Sequence, residues 1–184
     1  MFFLGILLIL VEYYQTLLFP KNMKKLFLIP VLLFTSFLSV SNASFGEMLE
    51  ENGIDWIIGS WKMERDGNTM ELSYKWAIDG QVISTHLKMA NNESFGVIGI
   101  NPKNGKVEQS GFNNKGEKVT GEWMPWGDLP LVKIKVDRES GDPSHMAVAF
   151  RKVDDETIEL QIIPVDDSGT IASSPEYTFE MKKS

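Results

Sequence analysis

Short segments of alternating apolar and polar residues, separated by turn residues, follow one another from Ser60 to the C-terminus. The clearest one extends from Met70 to Trp76, where apolar residues occupy the even positions and polar residues the odd ones. Because successive side chains of a β-strand point to opposite faces of a sheet, this period of two predicts half-buried strands. Turn sequences such as Asp79-Gly80 and Asn104-Gly105 separate about ten such segments, which is typical of antiparallel strands joined by hairpins.

The strand pattern predicts an all-β domain, and we expect an antiparallel up-and-down β-barrel of about ten strands with a short N-terminal helix. A two-sheet sandwich would show the same pattern, but closure into a barrel removes both exposed edges of the sheet. The side chains expected to face the barrel interior are Met70, Leu72, Tyr74, Trp76, Val132, Ile134, Val136, Met146, Val148, Phe150, Ile158, Leu160, Ile162, Tyr177 and Phe179. These side chains are bulky, and the sequence leaves open whether they fill the interior or enclose a ligand cavity.

A helix start signal precedes the strands. Ser44 and Glu47 have the spacing of a capping box, and apolar residues follow at helical spacing. Asn52-Gly53 is a stop signal. We expect one short helix over about residues 45–52 that closes one end of the domain.

The segment 23–43 has the three parts of a secretory signal peptide. Met23-Lys24-Lys25 precedes an apolar run, and a stretch of small residues ends at Ala43. We expect cleavage after Ala43 and a periplasmic or secreted protein. A membrane anchor is the alternative, but the apolar run is shorter than the ~20 residues that span a bilayer.

Residues 1–22 contain another apolar stretch ahead of a complete signal peptide. We expect them to be a mistaken N-terminal extension, with translation starting at Met23. A membrane hairpin of two segments is the alternative, although both segments are short for a bilayer. The folded domain is then expected over residues 44–184.

Charge and cysteine content exclude several classes of partner for the expected domain. Without the three lysines and one glutamate of residues 1–43, the chain has 15 basic and 24 acidic residues, a net charge of −9. This charge opposes binding to nucleic acid or, after signal cleavage, to an anionic membrane surface. The chain has no cysteine, which excludes disulfides, thiolate zinc sites and haem attached through cysteine. The oligomeric state is left open.

Four short segments carry a resemblance to a known architecture. They are Ile58-Gly59-Ser60-Trp61 at the start of the first strand, Tyr74-Lys75-Trp76 with Asp79-Gly80, Gly96-Val97-Ile98-Gly99-Ile100-Asn101-Pro102, and Gly121-Glu122-Trp123. Together with the short helix they resemble lipocalin and calycin barrels over most of residues 44–184. They are most similar to a bacterial family of lipocalin-like domains, often exported, that has no established biochemical activity.

The resemblance implies a barrel that carries a small hydrophobic ligand, and a basic side chain from a late strand that covers Trp61. Arg151 is the first candidate for that side chain, and Lys182 is the second. A weaker resemblance links the chain to nitrobindins, ten-stranded barrels that bind haem through a histidine, for which only His86 and His145 are available. The chain departs from classical lipocalins because it lacks disulfides and a recognisable C-terminal helix.

Aromatic and polar residues at expected inward or loop positions are the candidates for ligand binding. The candidate residues are Tyr74, Trp76, His86, Trp123, Trp126, Phe150, Arg151 and Tyr177. Tyr74, His86, Arg151 and Tyr177 would supply orienting polar contacts. Trp123 precedes a predicted loop over Met124–Pro130 and Trp126 lies within it, where they would either gate a pocket or plug the barrel end. Ordinary core packing is the alternative for Tyr74 and Trp76.

No catalytic residue, metal ligand or cofactor is predicted. The chain has no Gly-x-Ser-x-Gly elbow and no glycine-rich phosphate loop before a helix. Asp166-Asp167-Ser168-Gly169 is expected to form a turn rather than a calcium loop. The sequence therefore favours an exported lipocalin-like carrier of a small hydrophobic or amphipathic ligand. The alternative is a filled barrel that serves as a structural or interaction module, and an enzyme is the third hypothesis.

Overall fold

The computed structural model describes residues 44–65 and 67–184. The expected extension over residues 1–22 and the expected signal peptide over residues 23–43 lie outside the described residues. None of the helices in the described ranges is long and apolar enough to cross a membrane.

The predicted N-terminal helix is present as α1, Phe45–Glu51. Its capping box is complete, because the Glu47 backbone N–H donates to Ser44 Oγ at 3.1 Å and the Ser44 N–H donates to Glu47 Oε2 at 2.6 Å. A 3₁₀ turn, Asp55–Ile57, connects α1 to the first strand.

Ten antiparallel strands follow in the described part of the chain, and they close into a barrel. The strands are β1 Gly59–Arg65, β2 Asn68–Ile78, β3 Val82–Met89, β4 Asn92–Ile100, β5 Val107–Asn113, β6 Lys118–Trp126, β7 Leu129–Asp137, β8 Ser144–Lys152, β9 Thr157–Ile163 and β10 Tyr177–Lys183. Each strand pairs with the next, and β10 closes the ring on β1 through the pairs Trp61–Lys183 and Lys62–Lys182. The predicted all-β, up-and-down barrel with a short N-terminal helix is confirmed.

The expected loop over Met124–Pro130 is instead a tight hairpin. β6 continues to Trp126, β7 begins at Leu129, and Pro125 lies opposite Pro130 in the register. Gly127 turns the chain with a φ of 59°, a backbone conformation that glycine adopts without strain.

The apolar interior follows the predicted alternation, with Trp61, Leu72, Phe150 and Met181 among its buried side chains. Two residues expected to face inward are exposed: Tyr177 is 56% exposed, and Met146 is 38% exposed. Both lie near strand ends that α1 does not cover, so the parity of a position along a strand does not by itself ensure burial.

A second apolar cluster lies on the outside of the barrel wall. Its members, which we call the outer cluster, are the fully buried side chains of Leu131, Ala147, Ala149 and Ile163. The connection between β9 and β10 covers them, because Val165 and Ile171 form an isolated bridge there and pack against the cluster. Trp126 and Leu129 from the β6–β7 hairpin pack against the same cluster.

Candidate functional site

A cavity of about 410 Å³ lies at the end of the barrel that α1 covers. One side is formed by α1 and the 3₁₀ turn, the other by the β6–β7 hairpin, and the base by inward side chains of the strands. The inward side chains at its base are Tyr74, Ile83, Ile98, Val107 and Trp123. The walls are mainly apolar, and the volume is within the range of about 300–1,000 Å³ that is usual for small-molecule sites.

Local sequence fixes α1 over this end of the barrel. Phe45 and Leu49 are one helical turn apart and bury the same face of the helix. The Phe45 ring meets the Trp76 ring edge-on, with centroids 5.9 Å apart. The Gly46 N–H donates to the Gly80 carbonyl at 3.0 Å, which attaches the helix to the turn between β2 and β3. Trp76, a candidate for ligand contact, therefore supports the helix and does not line the cavity.

Three aromatic rings from strands across the barrel fill the interior below the cavity. Trp123 stacks on Phe150 with centroids 5.4 Å apart and an angle of 19° between the ring planes. Tyr74 meets both rings edge-on, at 6.0 Å and 6.1 Å. Tyr74 and Trp123 line the cavity, whereas Phe150 lies behind them. We call these three residues the aromatic floor.

The Trp123 indole is the unusual polar group of this site. Its Nε1 is buried and, within residues 44–65 and 67–184, is the only buried side-chain nitrogen or oxygen atom without a hydrogen-bond partner. A buried donor without a partner costs about 1–3 kcal/mol. The indole N–H can only donate, so an acceptor in the cavity would remove this cost.

The Tyr74 hydroxyl, by contrast, is already satisfied. Burial raises the pKa of Tyr74 well above its ordinary value, and a hydrogen bond with Thr85 opposes this shift. Tyr74 is therefore neutral at any physiological pH. Among the described residues that line the cavity, Asp128 in the hairpin turn is the only one with a charged side chain.

Neither histidine reaches the cavity. His86 lies on the outer face of β3, because its neighbour Thr85 faces the interior. Its Nε2 is 2.7 Å from Glu93 Oε1, and its ring meets the exposed ring of Phe95 edge-on. The bond from His86 lowers the pKa of Glu93. His145 is exposed on the outer face of β8. The expected orienting role of His86 inside the barrel is not supported by this position.

The basic side chain over Trp61 is neither Arg151 nor Lys182. Arg151 points outward and binds Glu159 through two hydrogen bonds, at 2.8 Å and 2.7 Å. Lys182 donates to Thr157 Oγ1. Lys183 Nζ lies 6.0 Å from the centroid of the Trp61 ring. The expectation was wrong because Lys183, two residues after the buried Met181, is the late basic residue on the inward face.

The other candidates also lie away from the cavity. Trp126 packs against the outer cluster on the barrel wall, so it anchors the hairpin from outside. Tyr177 is exposed at the opposite end of the barrel. Of the candidate residues, the structure brings together Tyr74 and Trp123 around the cavity, with Phe150 behind them.

Several residues that line the cavity were not among the candidates. Met48 and Leu49 come from α1, and Pro125 and Asp128 come from the hairpin. The apolar face of α1 was visible in the sequence as helical spacing, and this signal could have identified Met48 and Leu49. The hairpin residues carry no comparable signal, because their position depends on how β6 and β7 pair.

Residues 44–65 and 67–184 contain no group of three or more histidine, cysteine, aspartate or glutamate residues that could hold a metal ion. The predicted turn at Asp166-Asp167-Ser168-Gly169 is present: the Gly169 N–H donates to the Asp166 carbonyl at 2.8 Å. Asp166 Oδ1 accepts hydrogen bonds from the Ser168 hydroxyl and the Thr170 N–H, so this carboxylate stabilises the turn.

Comparison of the sequence with protein-family models and with curated proteins finds no match. The closed ten-strand antiparallel barrel of the described residues fits a calycin or lipocalin-like fold.

Proposed function

We propose that this protein is an exported lipocalin-like carrier that binds a small, mainly apolar molecule in the cavity between α1 and the β6–β7 hairpin. The cavity of about 410 Å³ supports this proposal, because its size and apolar walls suit burial of a small molecule. The fold supports it as well, since barrels of this kind enclose ligands between the strands and the elements that cover one end.

The observation that carries the proposal is the buried Trp123 Nε1 without a partner. Buried polar groups in folded proteins are nearly always hydrogen-bonded, and each exception calls for an explanation. The Trp123 ring lines the cavity, so the donor is explained if a bound molecule reaches Nε1 and supplies the acceptor.

The second candidate function is a filled barrel that acts as a structural or interaction module. The aromatic floor favours it, because three rings occupy the middle of the barrel. Only the cavity next to α1 then remains for a ligand, so blocking that cavity discriminates between the two functions.

The test is binding of N-phenyl-1-naphthylamine, an uncharged dye that fluoresces in apolar surroundings. Met48→Trp places a larger side chain at a cavity-lining position of α1, and Glu50→Trp places the same side chain at an exposed position of that helix. We expect the wild type and Glu50→Trp to bind the dye and Met48→Trp to bind it at least about tenfold more weakly. Equal binding by the two variants, or no binding by the wild type, would contradict the carrier function and favour the module.

Export is the second part of the proposal and rests on the composition of residues 23–43. N-terminal sequencing of the protein recovered from outside the cytoplasm tests it. A mature protein that begins at Ser44 is the expected result, whereas retention of residues 23–43 would contradict it.

A further inference from the structure

We infer that the ligand is an uncharged molecule, with an apolar body and a single strong hydrogen-bond acceptor such as a ketone, aldehyde or ester carbonyl. This inference rests on the proposed ligand-binding function and narrows it to one chemical class. It excludes fatty-acid anions, which are the usual first guess for an apolar barrel.

The acceptor follows from the Trp123 indole. Its N–H is buried without a partner, and the indole has no lone pair with which to accept a bond in return. The nearest lining hydroxyl, on Tyr74, is engaged with Thr85, and the side-chain amide of Asn52 donates to the Met48 carbonyl at 2.8 Å. A ligand that supplies an acceptor atom near Trp123 would satisfy this donor.

The absence of charge follows from the cavity lining. Among the described residues, no lysine, arginine or histidine lines the cavity, and the charged residue that does is Asp128. A carboxylate in this cavity would lose its water without gaining a cation. His86 and Arg151, two residues expected to supply polar contacts inside the barrel, lie on the outer face beside Glu93 and Glu159.

A cationic ligand is disfavoured for a different reason. The Trp123 N–H is a donor, so a positively charged donor group cannot satisfy it. Asp128 is exposed in the hairpin turn, where water already solvates its carboxylate. A neutral ligand with an acceptor atom satisfies the Trp123 N–H and leaves no buried charge.

The inference is tested by displacement of N-phenyl-1-naphthylamine with matched compounds. The compounds are 2-decanone, 2-methyl-1-decene, in which a methylidene group replaces the carbonyl oxygen, and decanoate at neutral pH. We expect 2-decanone to displace the dye at about tenfold lower concentration than the alkene or decanoate. If the protein binds the dye and decanoate displaces it at the same concentration as 2-decanone or a lower one, the inference of a neutral ligand is overturned. The carrier function is not affected by that result. No binding of the dye or of any of the compounds would overturn the carrier function itself.

Two tryptophan variants assign the preference to the correct indole. Trp123→Phe keeps an aromatic ring on Phe150 and removes the N–H, so the preference for ketone over alkene should fall to about one. Trp126→Phe, on the outer wall, should keep the full preference. A ketone preference that survives in Trp123→Phe would overturn the assignment of Trp123 as donor.

A measurement on the wild type keeps the test decisive if Trp123→Phe does not fold. In protein with ¹⁵N-labelled tryptophan, 2-decanone should shift one indole N–H resonance strongly downfield, and 2-methyl-1-decene should not. Equal shifts with the two compounds would contradict a hydrogen bond from the indole to the carbonyl.

Discussion

Trp61 and Trp123 lie on opposite walls of the barrel, on β1 and β6, and their surroundings differ completely. Trp61 is 2% exposed, its Nε1 donates to the Ile57 carbonyl at 3.1 Å, and Lys183 lies over its ring. Trp123 lines a cavity, and its Nε1 has no partner. The same side chain therefore serves the stability of the barrel at one position and, we propose, the recognition of a ligand at the other.

The difference arises from the chain that precedes each residue. The 3₁₀ turn Asp55–Ile57 ends four residues before Trp61 and presents its carbonyl to the indole. Trp123 sits in the middle of a strand pairing, opposite Val132 and Val107, where the backbone groups serve the sheet. No nearby segment offers it an acceptor.

The largest effect that tests this comparison is expected from truncation of each ring. Trp61→Ala should lower the free energy of unfolding by about 3–5 kcal/mol, because it opens a cavity in a fully packed site. Trp123→Ala should cost at least about 1 kcal/mol less, since Trp123 borders a cavity and has fewer packing contacts to lose. Urea unfolding of the ligand-free proteins measures both, and equal losses would show that the two sites are equally packed.

Replacement of the indole by a phenyl ring, which removes the N–H, should reverse the sign of the change in stability between the two sites. Trp61→Phe loses the bond to Ile57 and should destabilise the protein by about 1–3 kcal/mol. Trp123→Phe removes an unsatisfied donor and keeps the stack on Phe150, so the ligand-free protein should be as stable as the wild type or more stable by up to about 1 kcal/mol. If Trp123→Phe were less stable than the wild type by more than about 1 kcal/mol, the Trp123 N–H of the ligand-free wild type would have a hydrogen-bond partner.

The sequence predicted the barrel because its signal is local. The alternation over Met70–Trp76 and the turn at Asp79-Gly80 predicted β2 and its end, and the structure has this strand over Asn68–Ile78. It also assigned Tyr74 and Phe150 to the interior, where both are buried, because the parity of a strand position needs only its neighbours.

The features of the fold and the cavity that the sequence did not predict depend on contacts between segments that are distant in the chain. Ala147 and Ala149 point outward yet are fully buried, because the connection after β9 crosses the wall above them. Tyr177 has inward parity yet is exposed, because nothing in the described chain covers that end of β10 as α1 covers the cavity end. The cavity lies between α1 and the β6–β7 hairpin, and no spacing within either segment specifies how the two are placed.

On the outer face of the barrel wall, stability depends on charge as well as on packing, because Arg151 and Glu159 form an ion pair there. The hydrogen bond from Arg151 lowers the pKa of Glu159, which is 9% exposed. Because the pKa is lower in the folded state, this contribution to stability is present above the unfolded value of about 4.3 and is lost as the pH falls through the folded value. Arg151→Met should therefore lower the free energy of unfolding near pH 7, and lower it by less below about pH 4. The same loss at both pH values, measured by urea unfolding, would contradict a role for this pair.

The smallest expected effect separates Lys183 from Arg151 as the cation over Trp61. Lys183→Met keeps the apolar stem and removes the charge, so it should cost about 0.5–1 kcal/mol, the usual size of an exposed cation–π contact. It should also shift the indole resonance of Trp61, whereas Arg151→Met should leave that resonance in place because its guanidinium binds Glu159 on the other face of the wall. If Arg151→Met moved the Trp61 resonance and Lys183→Met did not, the cation over the ring would be Arg151 as the resemblance implied. The packing of Trp61 would then depend on a residue of β8. The difference between Trp61 and Trp123 could then no longer be attributed to the segment that precedes each tryptophan.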